Sequence, residues 1–310
     1  MAALSQKRSC AEVMADFKEF IWNPRTREFM GRTASSWGLI LAFYLVFYAF
    51  LTAVFALSMW VMLQTIDDQF PTYSDRLANP GLMIRPKTDG LEIVYTNGTS
   101  DTWQSYVKAL DDVLQDYNVS IQEQRGSVCN PGVFNNQNDA ADVRNFPKKA
   151  CRFERTLLQQ CDGIVDPTYG YRSGQPCVLI KINRVINFRP GVIHSLSNHS
   201  ITVNCSTTRF KSSVNVSVSI ADNDRRLGDR IYFPNNGTTF GTFDLMYFPY
   251  YGKKAQVNYT QPLVAIKFLN PEPDTDFFVQ CRINADNINS NDERDKFSGR
   301  VIFKLRINSK

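Results

Sequence analysis

A single hydrophobic segment stands out from the pattern of apolar and polar positions along the chain. Residues 33–66 contain no Asp, Glu, Lys or Arg, and residues 37–63 are almost all apolar. As a helix with a rise of 1.5 Å per residue, the apolar stretch would be about 40 Å long, whereas the hydrocarbon core of a bilayer is about 30 Å thick. Because a backbone in lipid must satisfy its own hydrogen bonds, we predict one membrane-spanning helix over residues 37–63.

After this helix the pattern changes to alternation with a period of two, which is typical of half-buried β-strands. The alternating segments are 180–188, 213–220, 277–283 and 301–308, and 91–96 and 262–268 are further candidates. The stretch from Trp103 to Tyr117 has helical spacing instead, with Asp101 as its expected N-cap. The expected fold class is therefore mainly β: a single transmembrane helix followed by an immunoglobulin-like β-sandwich ectodomain with an inserted helix.

These patterns divide the chain into four regions. Residues 1–36 form a polar tail with a short amphipathic turn before Pro24, and residues 37–63 form the membrane helix. Residues 64–85 are expected to be an extended stalk, with Pro71, Pro80 and the following Pro86 as helix breakers. Residues 86–310 are expected to form the β-sandwich.

The charges beside the helix predict its orientation. Arg25, Arg27 and Arg32 precede the helix, whereas Asp67 and Asp68 follow it. Basic flanking residues stay on the cytosolic side of a membrane, so we expect a cytosolic N-terminus and an extracellular C-terminus.

The cysteines indicate an oxidising compartment for the C-terminal part of the chain. Of seven cysteines, Cys10 precedes the helix and six follow it, an even number that fits three disulfides. Six cysteines allow fifteen pairings. We favour the sequential pairing Cys129–Cys151, Cys161–Cys177 and Cys205–Cys281, in which each bridge would contribute roughly 3 to 5 kcal/mol. A zinc site is less well supported, because no CxxC spacing occurs and the two histidines, His194 and His199, lie in a polar stretch.

Sequons for N-glycosylation support the same orientation. Seven occur, and all of them follow the helix: Asn97, Asn118, Asn198, Asn204, Asn215, Asn236 and Asn258. Asn204 is the least favourable acceptor, since the middle residue of its sequon is Cys205. Seven sequons together with paired cysteines predict a secretory lumen for this part of the chain.

The sequence offers few residues for catalysis. It contains no phosphate-binding GxxxxGK[ST] loop, no GxSxG elbow and no HExxH pair, so we expect no catalytic residue, cofactor or metal. A net charge of +5 does not indicate nucleic-acid binding. A luminal glycosyltransferase is an alternative, because Asp222-Asn223-Asp224 and Asp274-Thr275-Asp276 match an Asp-x-Asp metal motif. We favour the interpretation of both as solvated turns.

Two groups of aromatic residues are candidates for contacts with a partner. Tyr44 and Tyr48 are four residues apart in the membrane helix, a spacing that places them on one face and suits packing against another helix. The segment from Tyr247 to Lys254 combines four aromatic residues with two lysines around Pro249 and Gly252. Aromatic residues beside cations are common at interfaces, but packing in the core explains this segment about as well.

The motifs that carry a family resemblance extend along the whole chain. They include Trp22-Asn23-Pro24, Phe29-Met30-Gly31-Arg32-Thr33, Phe43-Tyr44-Leu45-Val46-Phe47-Tyr48, Tyr169-Gly170-Tyr171, Gly174-Gln175-Pro176-Cys177 and Tyr247 to Lys254. In these motifs the chain resembles the beta subunit family of the sodium/potassium-transporting ATPase. The stretches 81–87, 292–297 and 303–308 are most similar to the beta-2 subtype of that family.

The resemblance implies a non-catalytic subunit of a cation pump in the plasma membrane. Its main expected partner is the catalytic alpha subunit, which it would stabilise, deliver to the membrane and adjust in potassium affinity. A small FXYD-type regulatory subunit and the lipid bilayer are further expected partners. The implied alpha-subunit contacts are Tyr44, Phe47, Tyr48, Tyr247, Phe248, Tyr250, Tyr251 and Lys253. The resemblance also implies the sequential disulfides. Alternatives are a cell-adhesion glycoprotein, a role that can coexist with the first, and the beta subunit of a proton/potassium ATPase.

Overall fold

The computed structural model describes residues 10–67, 70–73, 79–139, 143–208, 220–234, 239–292 and 295–309. The chain forms two compact units, which comprise residues 1–67 and 68–310. The strand predicted over 213–220 lies outside the described residues except for Ile220, which begins a helix.

The N-terminal unit consists of two helices joined by a short hairpin. Helix α1 spans Cys10–Ile21, strands β1 and β2 span Trp22–Asn23 and Glu28–Phe29, and helix α2 spans Ala34–Gln64. The indole Nε1 of Trp37 donates a hydrogen bond of 2.8 Å to the carbonyl oxygen of Phe29, which fixes the hairpin to the first turn of α2. The amphipathic turn expected before Pro24 is thus a helix of 12 residues.

Helix α2 confirms the single apolar helix predicted from the sequence. It has 31 residues, and none of them is buried within the protein. At 1.5 Å per residue the helix is about 46 Å long. Among the described residues, α2 is the one helix whose length and composition are sufficient to cross a membrane.

Within its described residues, the C-terminal unit contains two β-sheets and three α-helices. Its strands are β3 Leu82–Arg85, β4 Glu92–Thr96, β5 Cys177–Ile182, β6 Ser200–Thr207, β7 Arg230–Phe233, β8 Gly241–Asp244, β9 Leu263–Phe268, β10 Phe277–Asn284 and β11 Arg300–Asn308. Its helices are α3 Ser100–Leu114, α4 Val119–Arg125 and α5 Ile220–Leu227. The strand order is β4-β11-β10-β6-β8 in one sheet and β3-β5-β9-β7 in the other.

The two sheets pack face to face, as the alternation of the sequence predicts. In β11 the side chains of Val301, Phe303, Leu305 and Ile307 are buried, whereas Ile302 between them is 40% exposed. The ring of Phe303 lies 6.5 Å from the ring of Phe268 in the other sheet, in an edge-to-face arrangement. Residues of both sheets belong to one hydrophobic core, so the expected β-sandwich is confirmed.

Gly241 lies where the two sheets approach each other closely. A Cβ atom at position 241 in β8 would lie 2.3 Å from Cγ1 of Val264 in β9. Only a residue without a side chain fits there, because real Cβ contacts are never that short.

The structure has the three disulfides of the sequential pairing: Cys129–Cys151, Cys161–Cys177 and Cys205–Cys281. Cys205 in β6 lies directly opposite Cys281 in β10, so this bridge joins neighbouring strands of one sheet. In antibody domains, by contrast, the conserved bridge connects the two sheets. A second difference from the antibody domain, whose sheets are antiparallel, is that β4 pairs in parallel with β11.

Three predicted boundaries differ from the structure. Strand β3 begins at Leu82, so it occupies the last four residues of the expected stalk, because Leu82 and Ile84 are buried against the core. Helix α3 has Thr99 as its N-cap, so Asp101 lies in the first turn rather than at the cap. In the segment 180–188 the regular strand ends at Ile182, and Ile186 forms an isolated bridge with Tyr250.

Candidate functional site

The first candidate site is a row of aromatic rings on α2, which we call the aromatic face and define as Tyr44, Phe47 and Tyr48. The rings of Tyr44 and Tyr48 stack with centroids 5.9 Å apart, and Phe47 meets Tyr48 edge-on at 5.5 Å. The i, i+4 spacing produces this stack, since such residues are neighbours on a helix surface. The three side chains are 47%, 42% and 59% exposed, so the helix presents them outward.

The opposite side of α2 has a different composition. At about 100° per residue, Ala49, Ala53 and Ala56 point away from the aromatic face. Small residues allow another backbone to approach closely, whereas stacked rings with hydroxyl tips offer a broad, rigid surface. Helix α2 therefore has two distinct faces for neighbours in a membrane.

The second candidate site, residues 247–254, does not present its aromatic side chains as the resemblance implied. Tyr247, Phe248, Tyr250 and Tyr251 are only 5–8% exposed and pack inside the C-terminal unit. The structure thus favours the core-packing interpretation of these four residues. The exposed side chains of this segment are the lysines 253 and 254.

Tyr247 and Tyr250 are held by contacts with distant parts of the chain. The hydroxyl of Tyr247 donates a hydrogen bond of 3.3 Å to the carbonyl oxygen of Arg152, and its ring lies 5.5 Å from that of Phe153. Burial raises the pKa of the Tyr247 phenol above its usual range, and the charge of Asp244 adds to this. The carbonyl oxygen of Tyr250 accepts a hydrogen bond of 2.8 Å from the backbone N–H of Asn187, and its ring lies 4.6 Å from that of Tyr259.

Tyr251 is anchored to a buried lysine and its neighbours. Its hydroxyl donates to the carbonyl oxygen of Asn135 at 3.1 Å and accepts from the backbone N–H of Gln137 at 2.7 Å. The ammonium of Lys148 lies 5.2 Å from the centre of the Tyr251 ring, within the range of a cation–π interaction. Lys148 also donates to the carbonyl oxygen of Gln137 at 2.6 Å and forms an ion pair with Asp139.

The Lys148 hydrogen bond lowers the pKa of the Asp139 carboxyl. The segment that carries Asp139 and Lys148 lies between Cys129 and Cys151, which are joined by a disulfide. The contacts of Tyr251 therefore fix residues 247–251 to the loop that the Cys129–Cys151 disulfide closes. Because Lys253 and Lys254 follow directly, the buried aromatic residues also position these exposed lysines.

The predicted glycosylation sites differ in exposure. Asn198, Asn204 and Asn258 are exposed, and Asn97 and Asn118 are half-buried. The other two, Asn215 and Asn236, lie outside the described residues. The five described sites all belong to the C-terminal unit.

The two Asp-x-Asp motifs form ion pairs within the protein. Asp224 in α5 accepts hydrogen bonds of 2.7 and 2.8 Å from Arg230, which lower the pKa of its carboxyl. Asp276 pairs with Lys304 at 3.1 Å and with Arg306 at 3.0 Å. The first motif thus lies on a helix rather than in the expected turn. Within the described ranges, no group of three His, Cys, Asp or Glu side chains is arranged to hold a metal ion.

Comparison with known proteins gives a consistent result. The family model of the sodium/potassium ATPase beta chain matches residues 7–303. The chain is 59% identical to the sodium/potassium-transporting ATPase subunit beta-2 of Rhinella marina and 54% identical to that of Homo sapiens, each over 99% of both chains. It is also 39% identical to protein ATP1B4 of Xenopus laevis, over 97% of this chain and 88% of the relative. The chain belongs to the sodium/potassium ATPase beta chain family.

Proposed function

We propose that this chain is the non-catalytic beta subunit of a P-type sodium/potassium pump. It binds the catalytic alpha subunit, stabilises it, delivers it to the plasma membrane and adjusts its affinity for potassium. The observation that carries this proposal is the exposed aromatic face on a single membrane-spanning helix, in a chain that matches the family over nearly its whole length.

The proposed orientation places the N-terminus in the cytosol and the C-terminal unit outside the cell. Arg25, Arg27 and Arg32 lie in and next to the hairpin before α2, where basic residues favour the cytosolic side. The three disulfides and the five described sequons all follow α2, and disulfide formation and N-glycosylation both take place in the secretory lumen.

The aromatic face is the proposed contact with a membrane helix of the alpha subunit. In lipid no hydrophobic effect drives helices together, so packing and hydrogen bonds between helices decide which surfaces associate. The stacked rings of Tyr44 and Tyr48 supply both, since each ring ends in a hydroxyl. A contact of this kind changes potassium affinity only when it differs in strength between pump states.

The test replaces both tyrosines of the aromatic face. We expect Tyr44→Ala with Tyr48→Ala to shift the potassium concentration for half-activation of pump current by about twofold or more, equivalent to about 0.4 kcal/mol. The full chain is co-expressed with a catalytic alpha subunit, and current and surface abundance are recorded in the same cells.

Val46→Ala with Leu57→Ala is the matched control. Val46 and Leu57 are exposed and apolar, and the helical period places them on the side of α2 opposite the aromatic face. Like the tyrosine double variant, this control truncates two exposed side chains of α2. We expect the control to leave potassium activation unchanged. Unchanged activation in the tyrosine double variant, at normal surface abundance, would refute the role of the aromatic face.

A further inference from the structure

A large groove lies in the C-terminal unit, next to the end of β4. It has a volume of about 910 Å³ and is lined by parts of the chain that are far apart in sequence. Its lining residues include Asn97, Gly174, Gln175, Arg226, Asn270 and Pro271. A groove of this size is in the range that accommodates a ligand of two or three linked rings.

One lining residue is itself the acceptor of a sequon. Asn97 follows β4 directly, and its backbone N–H donates a hydrogen bond of 2.9 Å to the carbonyl oxygen of Asn308, which fixes its position. A Cβ atom at Gly174 would lie 3.2 Å from the side-chain nitrogen Nδ2 of Asn97. Glycine at position 174 therefore leaves space beside the atom that would carry a sugar.

We propose that the N-linked glycan of Asn97 lies in this groove, with its first two N-acetylglucosamine units in contact with the walls. The modification joins Asn97 Nδ2 to C1 of the first sugar. The amide nitrogen loses a proton, and the lipid-linked diphosphate of the sugar donor leaves with the bonding electron pair. The inference rests on the proposed placement of the C-terminal unit in the secretory lumen.

The walls of the groove match the chemistry of this ligand. N-acetylglucosamine has an apolar ring face together with hydroxyl and acetamide groups. Pro271 offers an apolar surface, and the side-chain amides of Gln175 and Asn270 can both donate and accept hydrogen bonds. The guanidinium of Arg226 is oriented by Glu272, whose carboxylate accepts a hydrogen bond of 2.6 Å from it.

Docking would make the Asn97 glycan different from the glycan at Asn258. Asn258 is exposed and does not line this groove, so its glycan would extend freely into solvent. The docked glycan would connect the turn after β4, the turn at Gly174 and the turn after β9. It would therefore be shielded from glycosidases and would hold these turns together.

The test compares the release rates of the two glycans in the folded protein. The full chain is co-expressed with the alpha subunit in mammalian cells, purified as the complex and treated with peptide N-glycosidase without denaturation. Mass spectrometry in ¹⁸O water then follows each site separately. We expect release at Asn97 to be at least about tenfold slower than at Asn258, and the rates to become equal after denaturation. Gln175→Ala with Asn270→Ala should accelerate release at Asn97 alone.

A pair of variants at Thr99 isolates the effect of the glycan on the fold. Thr99→Ala removes the sequon, whereas Thr99→Ser keeps it, and the Thr99 side chain makes no capping hydrogen bond to α3. We expect faster amide hydrogen exchange in residues 269–273 for Thr99→Ala and no change for Thr99→Ser. Loss of the exposed glycan by Asn258→Gln should leave the exchange of residues 269–273 unchanged.

Each other outcome overturns the proposal. Equal release rates in the folded protein would show that the glycan is not docked. An unmodified Asn97 beside glycosylated Asn198 and Asn258 would refute the docked glycan and leave the proposed function intact. Absence of glycan from all of these sites would contradict the proposed orientation as well.

Discussion

The two groups of aromatic residues in this protein have similar chemistry and opposite surroundings. The aromatic face of α2 is 42–59% exposed, whereas Tyr247, Phe248, Tyr250 and Tyr251 are 5–8% exposed. Both groups combine rings with hydroxyl tips. The difference therefore arises from the chain around them and not from their own composition.

The two groups differ in exposure because different numbers of distant chain segments pack against them. A single helix cannot cover its own side chains, so the rings on α2 stack on each other and remain outward. Residues 247–251 meet residues 135–137, 148–153 and 184–187, which come from other parts of the chain. The comparison indicates that the first group is available to a partner and that the second group stabilises its own domain.

The largest expected effect concerns the buried group. Tyr247→Ala should destabilise the C-terminal unit by about 3–5 kcal/mol, because it removes a buried ring and leaves a cavity beside Phe153. Thermal unfolding of the purified protein measures the change. Tyr247→Phe, which removes only the hydrogen bond to Arg152, should cost about 1 kcal/mol.

Tyr44→Ala is the counterpart on the exposed aromatic face. It should change the stability of the C-terminal unit by less than about 0.5 kcal/mol. Equal losses of stability from Tyr247→Ala and Tyr44→Ala would contradict the division into a structural group and a contact group.

A smaller effect is expected at Lys181, which lies in β5. Burial, together with the smaller effect of the charges of Arg85 and Arg184, lowers the pKa of Lys181 to about 8. An unfolded chain has a lysine pKa of about 10.4, so between pH 8 and 10.4 the unfolded state binds more protons. The stability of the protein should therefore rise with pH across this window, and below pH 8 the full penalty for the charge remains.

Lys181→Met removes this penalty. At pH 7 it should stabilise the protein by roughly 1 kcal/mol, a value reduced for the partial solvent screening of the ammonium. In the variant the free energy of unfolding should also rise less between pH 8 and pH 10 than it does in the parent protein. Denaturant unfolding at pH 7, 8.5 and 10 gives both quantities, and a variant that is less stable than the parent at pH 7 would disprove this account of Lys181.

The smallest effect on stability is expected at the exposed lysines that the buried aromatic residues position. Lys253→Ala should change the free energy of unfolding by less than about 0.5 kcal/mol, because an exposed side chain loses little on truncation. If this side chain contacts the alpha subunit, as the family resemblance implies, the variant should instead weaken subunit association. Co-purification of the two subunits at increasing salt concentration measures this, with Lys87→Ala as a control at another exposed lysine.

Much of the fold follows from local patterns in the sequence. The apolar run predicted α2, and the alternation in 277–283 and 301–308 predicted β10 and β11, because helices and strands impose their periods on neighbouring residues. Strands β3, β7 and β8 were missed, since each has four residues, too few for a clear period. Strand β6 was missed as well, although it has eight residues.

The sequence alone is sufficient to predict one membrane helix, a mainly β domain with six cysteines after it, and the i, i+4 stacking of Tyr44 on Tyr48. The burial of residues 247–251, the ion pair of Asp224 with Arg230 and the position of Asn97 beside a groove are visible only in the folded molecule. Local features depend on residues a few positions apart, which a pattern displays directly. Burial, ion pairing and grooves depend on segments that are distant in sequence, and their positions are fixed only when the two sheets pack together.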